Sequence, residues 1–239
     1  MIPQTGGRFL TPEDKLSSGK KAITAFLLGI LFMFVALIVQ SVFQVAPLFI
    51  FAEIHGSGIT ASAKAYSILE RNNFIIFSIY LGAIAGILQE TAKYVAVDTR
   101  NKFLTIFIGL GFAAVDIIDL LLLNIIAGAA YAGLLMILSV LNIIFSILFH
   151  TGTAAFLKSG LISGSGRVYL AVCIILHSAV DGGLVGADYL VFFHPGSSLA
   201  IKIIYWALTL LTGVIIFTVG VIKLKRSMEE RQPSEAIVF

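Results

Sequence analysis

The sequence predicts an all-α protein: a polytopic membrane helix bundle of about six transmembrane helices, with the N-terminus and the C-terminus cytoplasmic. Three observations predict it. Of 239 residues, 59% are hydrophobic and only 12% charged, and the mean hydropathy is +1.02; soluble domains carry roughly 45–50% and about 25%. Six apolar runs reach or exceed the roughly 20 residues that cross a hydrocarbon core of about 30 Å. Lysine and arginine are dense and sparse at alternate ends of these runs, as the positive-inside rule requires.

The elements follow in order. Residues 1–21 form a polar cytoplasmic segment, followed by an apolar run far longer than the roughly 7–15 residues of a cleaved leader's core, so the run is read as a signal anchor. That first span, 22–51, would be about 45 Å long as a helix. It must therefore tilt, kink near Pro47 or project beyond the bilayer, and its Gln40 and Gln44 should face other helices. Further spans are expected at 73–97, 103–125, 130–157, 168–191 and 199–224, giving one transmembrane domain over 22–226 and a short solvated tail at 227–239.

Orientation comes from the basic residues. One side takes Arg8, Lys15, Lys20, Lys21, Arg100, Lys102, Lys158, Arg167, Lys223, Lys225, Arg226 and Arg231, and the other only Lys64, Arg71 and Lys202. The first side is read as cytoplasmic. The net charge of +3 is thus spent at span ends, and with no basic domain clear of the spans a nucleic-acid partner is excluded. The partner that composition dictates is the lipid bilayer. The single Cys173 lies within an apolar run, which rules out an intrachain disulfide and a thiolate zinc site. Gly82 with Gly86, and Gly182 with Gly186, have the spacing that lets membrane helices approach closely.

Ionisable groups inside spans cost several kcal/mol unless paired or hydrated, so each marks a candidate site. Glu90, Lys93, Asp116, Asp119, His150, His177 and Asp181 are such groups. Counted from the span ends, Glu90 and His150 fall about 10 Å below the cytoplasmic boundary and His177 about 14 Å, with Asp116 and Asp181 about 20 Å down. Glu90 and Lys93 are i, i+3 neighbours and His177 and Asp181 are i, i+4 neighbours, so Asp181 can orient the His177 ring. A glutamate with two histidines at one depth suits hydrolysis: the carboxylate acts as base toward water, and the imidazoles steady an oxyanion or hold a metal. HExxH and GxSxG are both absent. Asp119 and Asn124 read as helix-contact or boundary groups. Glu53, His55, Asp188 and His194 read as solvated groups on extracytoplasmic loops, and Phe192, Phe193 and Trp206 as interface or packing aromatics.

The pattern Glu90-x-x-Lys93, Phe112-x-x-x-Asp116, His150 and His177-x-x-x-Asp181 resembles the four-motif signature of the glutamate-type intramembrane proteases. That superfamily comprises the CAAX prenyl endopeptidases, the PrsW and YhfC groups and the anterior-pharynx-defective scaffold subunit of γ-secretase. The strings Leu88-Gln89-Glu90, Gly109-Leu110-Gly111-Phe112 and Phe149-His150-Thr151 most resemble the YhfC and scaffold branches. The resemblance implies peptide-bond hydrolysis near the cytoplasmic face on a transmembrane or membrane-adjacent peptide, with Glu90, His150, His177 and Asp181 catalytic and Gln89, Lys93, Phe112 and Asp116 supporting. A divalent metal such as zinc would have His150, His177 and Asp116 as ligands. Active members begin the first motif with two glutamates, the first being the base; here that position is Gln89, and Asp116 replaces the histidine or glutamate of other branches. Two other functions are therefore carried beside the protease: a non-catalytic scaffold that binds a partner helix in the same polar cavity, and a small ion- or proton-coupled transporter using Asp116, Asp119 and Asp181.

Overall fold

The computed structural model describes residues 18–56, 58–98, 104–126 and 134–229, leaving out the side chains of 18, 123–126, 134–136 and 228. Among them are seven α-helices, one short 3-10 turn and no strand. Helices α1 (Ser18–His55), α3 (Phe74–Asp98), α4 (Thr105–Ile126), α5 (Leu134–Ile162), α6 (Gly166–Phe193) and α7 (Ser198–Glu229) are the six long enough and apolar enough to cross a membrane. All-helical structure is what a bilayer demands, because a helix satisfies its backbone hydrogen bonds internally. Leu31, Phe34, Ile79, Ile175 and Leu208 are each more than half exposed, the lipid-facing apolar surface of such a bundle. The expected charges Arg8, Lys15, Arg100, Lys102 and Arg231, and the side chain of Asn124, lie outside the described residues.

Between the first two spans the chain forms an element that hydropathy does not announce: α2 (Ile59–Asn72), fourteen residues long. It is too short and too polar to span, and it is amphipathic. Tyr66 pins it by packing its ring against Phe51 of α1 and Phe77 of α3, with centroids 5.7 and 5.6 Å away. Nearby, α1 runs on through Pro47 to His55, so Glu53 and His55 sit in its last turn and not on a loop. His55 stacks on Phe51 at 4.0 Å, with Nδ1 2.8 Å from that residue's carbonyl oxygen. Asp188 likewise belongs to α6, while His194 caps it.

Around the bundle, α1 lies against α3 and α4, α3 against α6, and α5 against α4, α6 and α7. The α3–α6 contact depends on Gly82 and Gly182. A Cβ on Gly82 would run into the Ser178 carbonyl oxygen, and one on Gly182 would lie 2.6 Å from that of Ser78. The small-residue spacing thus serves packing within the chain. The ends of the bundle differ in charge: Lys20, Lys21, Arg167, Lys223, Lys225 and Arg226 mark a basic end, and α2 with the α6–α7 connection marks the far end. Lys158, expected among the solvated cytoplasmic charges, is instead only 8% exposed. Its ammonium donates to the Val97 carbonyl oxygen at 2.8 Å and to that of Asp98 at 3.4 Å, satisfying acceptors that the C-terminus of α3 leaves open.

Candidate functional site

Glu90 and Lys93 lie one turn apart on α3 and are both fully buried. Lys93 Nζ donates to Glu90 Oε1 at 2.6 Å and to Thr153 Oγ1 of α5 at 2.8 Å. The ammonium also lies 5.1 Å from the Phe112 ring centre and 5.9 Å from that of Phe149, a cation–π placement that helps hold a charge out of water. Phe112, part of the Phe112-x-x-x-Asp116 pattern, is therefore the wall behind Lys93.

From α6, His177 Nδ1 meets the same Glu90 Oε1 at 2.7 Å. An oxygen already accepting from an ammonium is an ionised acceptor, so Nδ1 carries the hydrogen and Nε2 is left to face the other way. There it finds Asp181 Oδ2 at 3.5 Å, one helical turn on. The predicted i, i+4 pairing is present, but the tighter partner of His177 is Glu90, from another helix. A parallel pair forms between α4 and α5: Asp116 Oδ2 accepts from Ser146 Oγ at 2.9 Å and from His150 Nε2 at 2.8 Å. The two imidazole centroids are 5.5 Å apart. Glu90, His150 and His177, expected at a similar depth, thus belong to one cluster with Lys93, with Asp116 and Asp181 of the expected layer beneath, and with Thr153 and Ser146. Ordinary hydroxyls on an apolar helix carried no signal that would have singled them out.

The cluster floors a cavity of about 470 Å³ to which all six spanning helices contribute. Its polar wall consists of Gln40 and Gln44 from α1, Gln89 from α3, Asp116 and Asp119 from α4, Asn142 from α5, His177 and Asp181 from α6, and Tyr205 from α7. The Asp116 and Asp181 side chains keep 36% and 35% exposure there. A second chamber of about 180 Å³ adds Asp188 and Lys202 and shares Leu120, Asn142, Leu184, Tyr205 and Trp206 with the first. Trp206 is therefore a buried wall residue, and Asp119 and Asp188 are cavity groups, where boundary and loop roles were expected.

Every wall residue lies toward the far end of its helix relative to Glu90, Lys93 and His150. Toward the basic end the interior is closed by Met33, Val97, Ile108, Phe112, Phe149 and Leu157, each at most 1% exposed. Glu90 and His150 are absent from the wall, whereas Gln89 is on it, donating from Nε2 to Gln40 Oε1 at 2.9 Å. Adjacent residues of a helix point about 100° apart. Position 89 therefore faces the cavity, and position 90 faces the ion pair.

Buried polar atoms of this region with no partner are Glu90 Oε2, His150 Nδ1 and Gln89 Oε1. Among the described residues no three His, Cys, Asp or Glu converge as a metal's ligands would, and the Lys93 ammonium puts a positive charge in the same cluster. Comparison with protein-family models, with curated proteins and with solved structures finds no match to this chain.

Proposed function

We propose that the chain is an intramembrane endopeptidase in which His177, and not Glu90, takes the proton from water. One observation carries this reading: the line Glu90–His177–Asp181 at the floor of a polar cavity. A buried carboxylate on Nδ1 that leaves Nε2 facing the site is the arrangement that makes an imidazole a general base in hydrolases. Glu90 is then a positioning residue: it fixes the tautomer and stabilises the imidazolium once formed, while Lys93 and Thr153 hold Glu90 in place. His177 Nε2 removes a proton from water, and the hydroxide adds to the peptide carbonyl carbon. The side-chain amides of Asn142 and Gln44 on the cavity wall are neutral donors available to the oxyanion. As the C–N bond breaks, the proton passes from Nε2 to the amine that leaves. Asp181, 3.5 Å from Nε2, lies beside the imidazolium that forms during the reaction.

The distribution of lysine and arginine supports placing the basic end and both termini in the cytoplasm. In that orientation the substrate enters from the extracytoplasmic side, although the cluster lies nearer the cytoplasmic face. The test uses full-length protein in liposomes with single-span peptides. Cleavage should vanish in His177→Ala and fall about 10³–10⁴-fold in kcat, with KM nearly unchanged, in Glu90→Gln, which spoils the tautomer. Cleavage that survives His177→Ala overturns the assignment.

A second reading is favoured by a specific observation. Gln89 on the wall is an amide bonded to Gln40, and Glu90 is closed off by its ion pair, as suits a scaffold that binds a partner helix without hydrolysis. Stoichiometric co-purification of a membrane partner, lost in His177→Ala, together with no cleavage of any peptide, would establish it in place of the enzyme.

A further inference from the structure

We infer that the cavity selects an ammonium or guanidinium group, carried by a lysine or arginine side chain of the membrane peptide that enters it. The inference deepens the hydrolase reading and rests on it for the word substrate; the charge preference itself rests on the walls alone.

Across the two joined chambers the charged wall groups are Asp116, Asp119, Asp181 and Asp188, against Lys202 and whatever charge His177 carries. Asp116 and Asp181 are matched to His150 and His177. Asp119 has the opposite surroundings: it lies one turn from Asp116 on α4, a like charge at i, i+3. A cation between the two would relieve the repulsion. Asp188 shares its chamber with Lys202, so one negative charge of the outer chamber is offset and the net charge of the walls stays acidic.

An independent observation points the same way. Gln89 is 97% buried by its 3% exposure, lines the cavity, and its Oε1 has no hydrogen-bond partner while its Nε2 is spent on Gln40. What Gln89 offers to a ligand is an acceptor. The cavity therefore presents carboxylates and an amide oxygen, which suits a group rich in N–H and positive in charge. Surrounded by lipid-facing helices, these carboxylates are poorly screened, so the preference should exceed that of a water-exposed acidic patch.

The experiment measures binding and cleavage separately, on full-length protein in nanodiscs. A fluorescent single-span peptide with one lysine at the level of the cavity is compared with the same peptide carrying norleucine there, and n-butylamine serves as a free competitor. The lysine peptide should bind at least about tenfold tighter, equivalent to about 1.4 kcal/mol. Asp119→Asn with Asp188→Asn should reduce the ratio to within about twofold, and helical circular dichroism of the same sample reports an intact fold. Equal binding of the two peptides by the wild type overturns the inference. Displacement of the lysine peptide by low millimolar n-butylamine assigns the site to a free amine and overturns the peptide source. Charge-dependent binding without cleavage removes the hydrolase reading and leaves the cation site standing; cleavage with no charge preference does the reverse.

Discussion

Replacing Lys93 with methionine removes the ammonium that touches Glu90 Oε1 and leaves that oxygen the N–H of His177. The lysine gives up a 2.6 Å bond to the carboxylate and a 2.8 Å bond to Thr153, both in a fully buried setting. Breaking a buried ion pair by deleting one partner costs about 3–5 kcal/mol, because the remaining charge keeps its desolvation penalty. The loss of the Thr153 bond adds about 1 kcal/mol. Methionine has a similar reach and packs well against the Phe112 and Phe149 rings, returning part of this, so a net loss of about 3 kcal/mol is expected. The double variant Glu90→Gln with Lys93→Met removes both charges together and should cost at least about 2 kcal/mol less than the sum of the two single changes. Reversible unfolding in mixed micelles, followed by helical circular dichroism for the three variants and the wild type, yields the cycle. Simple addition of the two single costs, or a Lys93→Met loss under about 1 kcal/mol, would refute the view that this pair acts as one buried unit.

Three other outcomes are expected. Gly82→Leu should separate α3 from α6 and abolish the folded state in the same unfolding assay, since its side chain meets the backbone of Ser178 and Gly182, whereas Gly186→Ala, with 3.5 Å of room to Ser78 Oγ, should cost under about 1 kcal/mol. Burial pushes the Tyr66 hydroxyl up to about 12, from an ordinary value near 10, with the Glu70 carboxylate adding to it. The neutral phenol is the form the folded state favours, so this contribution to α2 docking is complete below about pH 10 and is lost as pH rises toward 12. Limited proteolysis of α2 should therefore accelerate over that range in the wild type and less steeply in Tyr66→Phe. For sidedness, Cys173 is fully buried and silent to impermeant maleimide; in intact cells Glu53→Cys should label from outside, and Lys225→Cys only after the membrane is opened.

The helical architecture and the common level of Glu90, His150 and His177 were legible in the residues. A bilayer offers no water to backbone groups, so every crossing must be an unbroken apolar helix, and counting along such a helix places Glu90, His150 and His177 at one level before any packing is known. The amphipathic α2 was not legible that way, because a fourteen-residue helix at a membrane end has the composition of a loop and is held by Tyr66 contacts that arise only in the fold. The buried role of Lys158 was hidden for the same reason: its partners are carbonyl oxygens of a helix about 60 residues earlier in the chain.

What the linear order determined, then, was span number, axial depth and the set of charges that a membrane interior would force together. What tertiary structure decided was azimuth, the direction each residue faces around its helix. Hydropathy is blind to it where both faces of a helix are apolar, and only packing against specific neighbours chooses it. Glu90 and Gln89 are adjacent and equally deep, yet close contact of α3 with α6 turns the glutamate to Lys93 and His177 and the glutamine to the cavity. The same rotation of α6 puts His177 on the wall, while α5 turns His150 behind it to hold Asp116.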